Sequence, residues 1–226
     1  MQGTPVQTEA NKMSRERIEN EDTQEIEVRA AEGGARKHQM YQLFVLGQLM
    51  NKPMHGYLLR DILSNMLGPF RHMSWGALYP LIRQLLRNGW IELDTGCDVD
   101  LQSEANARQR KRYRITESGK ERFRAMMQEP DEYSVDTPEF FTIKLINFGH
   151  ISPELRLAIL QHYLGYLRMV DNHAQMQQRL KESYSGKDMR YVLRAVYYRL
   201  SCIQAELQWV EQEIARVTDE VRQATE

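Results

Sequence analysis

Between Leu193 and Val217 the apolar residues Leu193, Val196, Leu200, Ile203, Leu207, Val210, Ile214 and Val217 recur at intervals of 3-4-3-4-3-4-3. Sustained over more than three heptads, that spacing describes a coiled-coil seam, and a seam of this length needs a partner helix to cover it. It commits residues 187–220 to one long helix. A second long helix is expected over residues 154–184, with Ser185-Gly186 as the break between them.

Upstream the pattern is that of a small helical domain. Residues 1–36 are polar and acidic, and such a stretch buries too little apolar surface to offset its ordering entropy, so a mobile arm is expected, with a short helix near residues 15–28. From Lys37 the chain changes. Met40, Leu43, Phe44, Val45, Leu46 and Leu49 make a helix apolar on most of its circumference, which implies a buried central helix ending at Asn51-Lys52-Pro53. His55-Gly56 is expected to open a second helix that Gly68-Pro69 ends. Ser74 is a good N-cap for a third, marked by Leu78, Leu81, Ile82, Leu85 and Leu86 and closed by Asn88-Gly89. Pro80 lies inside that periodicity, where a kink or loose first turn is expected.

Two alternating runs follow, residues 90–93 and 110–115, which read as a β-hairpin with a long tip. Period two puts Tyr113 and Ile115 on its inner face and Arg110, Arg112 and Arg114 on the outer one. Thr116 can cap the next helix. Residues 130–138, acidic and proline-containing, read as a linker.

Composition enters through charge. The 226 residues carry 30 Lys and Arg against 31 Asp and Glu, a net −1 that gives no sign of a polyanionic partner. Sorted by segment, residues 1–34 sum to −4, residues 35–128 to +7 and residues 129–226 to −4. The cationic block coincides with the three helices and the hairpin, and there a polyanion is to be sought. No apolar run spans a bilayer and no signal-peptide pattern is visible, so a soluble cytoplasmic protein without membrane contact is expected. Cys97 and Cys202 alone assemble neither a disulfide framework nor a four-cysteine zinc site.

Three helices and a hairpin, with a cap-rich turn before the third helix, is the winged helix-turn-helix order. The segments HGYLL at 55–59, SWGALYPLIRQLLRNGWIE at 74–92 and RKRYRITESGKERF at 110–123 resemble the PadR family of bacterial transcriptional regulators. Three motifs in order over some 70 residues are far more specific than one. The two long C-terminal helices, with Phe140-Phe141 and the Leu207-Gln208-Trp209 region, resemble the larger subgroup, whose C-terminal helical domain makes a dimer. The expected fold is therefore mainly α: an acidic arm over residues 1–36, a winged helix-turn-helix domain over 37–128, and a coiled-coil-like dimerisation domain over 129–226.

The resemblance implies a homodimer on double-stranded DNA, with a pseudo-palindromic operator and release by a small molecule. A recognition helix leads into the major groove with its N-terminal residues, because base edges are within reach there and the helix terminus favours phosphate. Here those residues are Ser74, Trp75, Gly76 and Tyr79, with Arg83 a turn further on. Arg110, Lys111 and Arg112 are candidates for the flanking backbone or minor groove, although Asp94, Asp98, Asp100 and Glu104 make the wing tip acidic. His55, Tyr57, Arg71 and His72 are candidate phosphate contacts. The dimer seam is assigned to Leu193, Val196, Leu200, Ile203, Leu207, Val210 and Ile214.

Members of the family respond to phenolic acids or to planar drugs in a dimer groove. The aromatic residues Tyr41, Phe44, Phe140, Phe141, Tyr163 and Tyr166 are the candidates for lining such a pocket, or else form interdomain core. No enzyme motif is present: the six histidines include no HExxH, and neither cysteine sits in a nucleophile motif. No cofactor and no metal is expected. A metal-responsive winged helix would need ligands shared between chains, since His162 and His173 stand three turns apart on one helix. A coiled-coil interaction protein without DNA explains the heptads and leaves the cationic block unexplained.

Overall fold

The computed structural model describes residues 34–67, 75–94, 111–182 and 189–225. The expected arm helix, the Ser74 cap, Arg71, His72, Arg110, the acidic wing tip beyond Asp94, Cys97 and the Ser185-Gly186 break lie outside the described residues, as does the Trp75 side chain. The chain divides into two units, residues 1–41 and 42–226. In the first, residues 34–41 are helical; the second opens with helical residues 42–51, α1.

The second unit is mainly helical and begins as a winged helix. Its elements are β1 (Met54–His55), α2 (Gly56–Leu67), α3 (Trp75–Arg87), β2 (Ile91–Leu93), β3 (Arg112–Ile115) and α4 (Glu117–Gln128). The three strands form one antiparallel sheet in the order β1-β3-β2. β3 is the middle strand, pairing Met54 with Tyr113 on one side and Ile91 with Ile115 on the other. The core beneath it is Leu43, Phe44, Leu46, Leu59, Leu63, Leu78, Leu81, Ile82, Leu85, Ile91, Phe123 and Met126, each at most 1% exposed. Burying one such side chain stabilises by about 2 kcal/mol.

The hairpin alternates as expected, with Tyr113 buried and Arg114 exposed. β1 corrects the expectation for His55, which stands in a strand and does not open helix two. Met54 and His55 pair with Tyr113 and Arg112 at the edge of the sheet, which keeps them extended until Gly56 begins α2. α3 runs through Pro80 without interruption.

The expected linker ends two residues early, and beyond it Thr137–Ile146, unassigned in the sequence, is a helix, α5, preceded by a turn in which the Ser134 N–H donates to Thr137 Oγ1 at 2.8 Å. A 3-10 turn, Phe148–His150, leads to α6 (Pro153–Glu182) and α7 (Met189–Thr225). These two run antiparallel side by side. Arg156 pairs with Glu220 at 3.2 Å, Gln204 donates to Asp171 at 2.9 Å, and Tyr197 donates to Glu182 at 2.7 Å. Successive pairs thus move up one helix and down the other.

The heptad seam finds its partner here. Ile203, Val210 and Val217, one heptad apart, are at most 4% exposed, and α6 offers Leu160, Tyr163, Leu164, Leu167 and Ala174 as its buried face. Leu193, Val196, Leu200, Leu207 and Ile214 are half-buried on the flank of the same seam. Packing within one chain therefore uses up the centre of the stripe assigned to a dimer.

Candidate nucleic-acid interface

The helix-turn-helix presents α3 as its outer helix, and burial divides that helix into two faces. Leu78, Leu81, Ile82 and Leu85 are buried, while Gly76, Pro80, Arg83 and Arg87 are exposed. The exposed set is spaced 4-3-4, so it forms a single stripe along the helix with half-buried Tyr79 at its edge. Gly76 allows a backbone to come close at the leading end, and two guanidinium groups follow. Neither Arg83 nor Arg87 has an ion-pair partner among the described residues. Arg87 was missed in the sequence, although it lies four residues after Arg83 on the same face. It also marks the C-terminal turn of α3, where a cation is favoured.

Tyr79 approaches Tyr113 of β3. Burial, and secondarily Tyr79, push the Tyr113 phenol above its ordinary pKa. Tyr79 is thereby a link from α3 to the sheet as well as a residue at the stripe.

On the wing the structure separates the basic residues. Lys111 is exposed without an ion pair among the described residues. Arg112 is held: its Nε lies 3.4 Å from Asp94, and its Nη2 donates to the Pro53 carbonyl at 3.4 Å. Arg114 donates to Glu92 at 2.8 Å across the β2–β3 pair. Asp94 therefore does more than lend the wing a negative charge; it pins the base of the hairpin. Arg122 lies over the Trp90 ring at 5.3 Å, tying α4 to the start of β2.

His55 and Tyr57 stack, with centroids 5.4 Å apart and 17° between planes. Tyr57 is 43% exposed, while His55 Nδ1 is buried without a hydrogen bond. Lys52, exposed just before β1, is a further cation on the described surface that the sequence reading did not single out.

Of the six aromatic residues read as a pocket, three come together. Phe141 and Tyr163 stack at 3.8 Å, and Tyr166 stacks on Tyr163 at 5.7 Å. Phe140 is 5% exposed and carries Lys144 Nζ over its ring at 5.2 Å. Phe44 belongs to the closed core, and Tyr41 falls in the other unit. Phe141 and Tyr163 line a cavity of about 120 Å³ beneath the segment joining α4 to α5.

Several polar groups line that cavity, Lys144, His162 and Tyr163 among them. Lys144, 4% exposed, pairs with Asp131 at 2.9 Å and donates to the Glu129 carbonyl at 2.7 Å. His162 Nε2 is buried without a hydrogen-bond partner. Burial pushes the Tyr163 phenol well above the ordinary range, so it stays protonated and can donate.

Several solved structures resemble the chain. Bacillus subtilis PadR in complex with operator DNA is 19% identical, with 78% of this chain and 98% of that one covered at a TM-score of 0.36. The PadR-like regulator BC1756 from Bacillus cereus is 18% identical, covering 80% and 99% at a TM-score of 0.33. The Vibrio cholerae virulence activator AphA is 18% identical, covering 80% and 99% at 0.32. No curated protein matches. The family model described as "Transcriptional regulator PadR-like family" matches residues 45–125, from the middle of α1 into α4. That stretch, which holds the helix-turn-helix and both wing strands, is what the chain shares with the PadR-like family of transcriptional regulators.

Proposed function

We propose that the protein regulates transcription by binding double-stranded DNA as a homodimer, with residues 37–128 as reader and residues 129–226 as the dimerisation domain. The observation that carries this reading is the exposed Gly76-Pro80-Arg83-Arg87 stripe on the outer helix of a helix-turn-helix. A helix of this kind fits the major groove, its bare leading end approaching the bases and its arginines reaching base edges or phosphates. Lys111 and Lys52 meet the backbone on either side. Arg112 and Arg114 brace the wing and contribute charge at second hand.

Two identical readers call for a pseudo-palindromic operator, with half-site centres about 10 bp apart or at a multiple of it. Repression relieved by a small aromatic molecule is the regulatory mode we assign to the protein. The cavity under the α4–α5 segment suits such an effector, because it joins the reader's last helix to the first helix of the second domain. A phenolic acid entering it would have to displace Asp131 from Lys144, and would thereby release the segment.

The test is fluorescence anisotropy of the full-length protein with its own upstream DNA and with random duplex, over a series of salt concentrations. Salt-dependent binding that prefers the upstream DNA is expected, and Arg83→Ala should weaken it. Absence of salt-dependent binding to either duplex would remove DNA as the partner.

A further inference from the structure

Between α5 and α7 lies an open groove of about 410 Å³, distinct from the cavity under the linker although Phe141 and Tyr163 border both. Pro138, Thr142 and Leu145 of α5 form one wall, and Glu206 and Trp209 of α7 the other. Trp209 meets Phe141 with planes at 76° and centroids 6.5 Å apart. Its ring is 44% exposed, a large apolar surface left open at the mouth. Behind Phe141, Tyr163 is stacked at 3.8 Å with 6° between planes. The groove thus has a corner of two nearly perpendicular aromatic rings, with one ring stacked behind.

The charged group in the lining of this groove is an acid. Glu206 stands three residues before Trp209, on the same side of α7, and has no ion pair or hydrogen bond among the described residues. Burial pushes its carboxyl above the ordinary value, with Arg199 the opposing influence. After burial, Glu206 is the largest cause of the raised Tyr163 phenol, so its charge is felt at the stacked rings.

Ring faces carry negative quadrupole potential and a carboxylate carries full charge, so both favour a cation and disfavour an anion. Shape narrows the class. A flat cation needs two parallel faces with a gap of about 7 Å, but the parallel pair here is closed at contact distance. Perpendicular faces suit a roughly spherical head. A strongly hydrated metal ion finds only one carboxylate and apolar walls.

We propose that this groove binds a compact organic cation, a quaternary or alkylated ammonium head, against Phe141 and Trp209, with Glu206 as counter-charge. The site uses no residue of the winged domain, and it shares Phe141 and Tyr163 with the cavity beneath the linker. Its ligand is opposite in charge to the phenolic acid considered for that cavity.

The experiment is a titration of the full-length protein, without DNA, by choline and by tetramethylammonium at constant ionic strength, followed by calorimetry and by the Trp209 indole NMR signal. Parallel titrations use 3,3-dimethyl-1-butanol, the neutral isostere of choline, and a planar acridinium. Saturable choline binding that shifts the Trp209 signal is expected, with the isostere roughly five- to tenfold weaker. Glu206→Gln and Trp209→Leu should each weaken choline by a similar factor. Both side chains border solvent, so an unchanged unfolding midpoint confirms that these variants remain folded.

The proposal is overturned by no saturable binding of either ammonium ion, by an isostere that binds as well as choline, or by an acridinium preferred over both. Undiminished choline affinity in both folded variants also overturns it. Because DNA is absent throughout, failure here leaves the regulator reading untouched, and loss of DNA binding leaves the groove untouched.

Discussion

Gly119 shows how the absence of one methyl group sets the wing. A Cβ there would collide with the Trp90 carbonyl, the same oxygen that accepts the Thr116 N–H at 3.1 Å. Thr116 Oγ1 caps α4 by accepting from the Gly119 N–H at 3.1 Å and donates to the Gly89 carbonyl at 2.6 Å, where Ser118 also donates. The T-E-S-G run at 116–119 is thus a clasp between the root of the hairpin and α4. Gly119→Ala should cost about 1–3 kcal/mol, read as a lower denaturant midpoint at unchanged slope. The sequence disclosed the cap, because a hydroxyl before a helix has one evident use. It did not disclose the close approach, because that depends on a carbonyl 29 residues away.

The wing arginines teach the same lesson with charge. Alternation correctly put Arg112 and Arg114 outside the hairpin, yet Asp94 and Glu92 meet them there. A count of charges cannot show which cations are already engaged. Arg83→Ala should therefore reduce the slope of log affinity against log salt by about one unit. Arg114→Ala should change it by less than half as much, since Glu92 already screens that charge. Equal slopes for the two variants would contradict the division drawn between helix and wing.

At the level of elements, periodicity located the long helices without saying what covers them. A 3-4 repeat states that one face is buried; it carries no information about whether the cover comes from the same chain. The short α5 escaped notice for a related reason. Phe140, Phe141, Ile143 and Lys144 are all buried, so the helix has no polar face to set up an amphipathic signal. Around it the segment leading from α4 is strapped down. Asp131 pairs with Lys144, and the Tyr133 hydroxyl donates to the His162 carbonyl at 2.9 Å, in space that a side chain on Gly165 would fill. Asp131→Ala leaves Lys144 buried and without its carboxylate, which should cost about 3 kcal/mol. Faster amide exchange across residues 129–136, with the winged domain still protected, is the accompanying signature. The seam makes a complementary prediction. Val210→Asp puts a charge at a position 1% exposed and should unfold the α6–α7 pair, seen as lost helical circular dichroism.

For the whole molecule, the proposed dimer needs a surface other than the centre of the seam, which α6 covers. α7 carries a second stripe on another face: Tyr191, Ala195, Tyr198 and Cys202, spaced 4-3-4 and all exposed. Tyr191 is 64% and Tyr198 73% exposed, more than isolated surface aromatics need be. If two copies meet along this stripe, the double variant Tyr191→Glu with Tyr198→Glu should be a folded monomer, with helical content kept and sedimentation halved in mass. Its DNA behaviour then follows from counterion release. Each winged domain neutralises its own set of phosphates, and the slope of log affinity against log salt is proportional to their number. The monomer should therefore bind with about half the slope of the dimer, and should lose its dependence on the spacing between half-sites. A variant that stays dimeric would place the interface elsewhere on α6 or α7. A monomer that keeps the full slope and the spacing preference would mean that the +7 block reads DNA without a second copy, against the two-fold architecture proposed here.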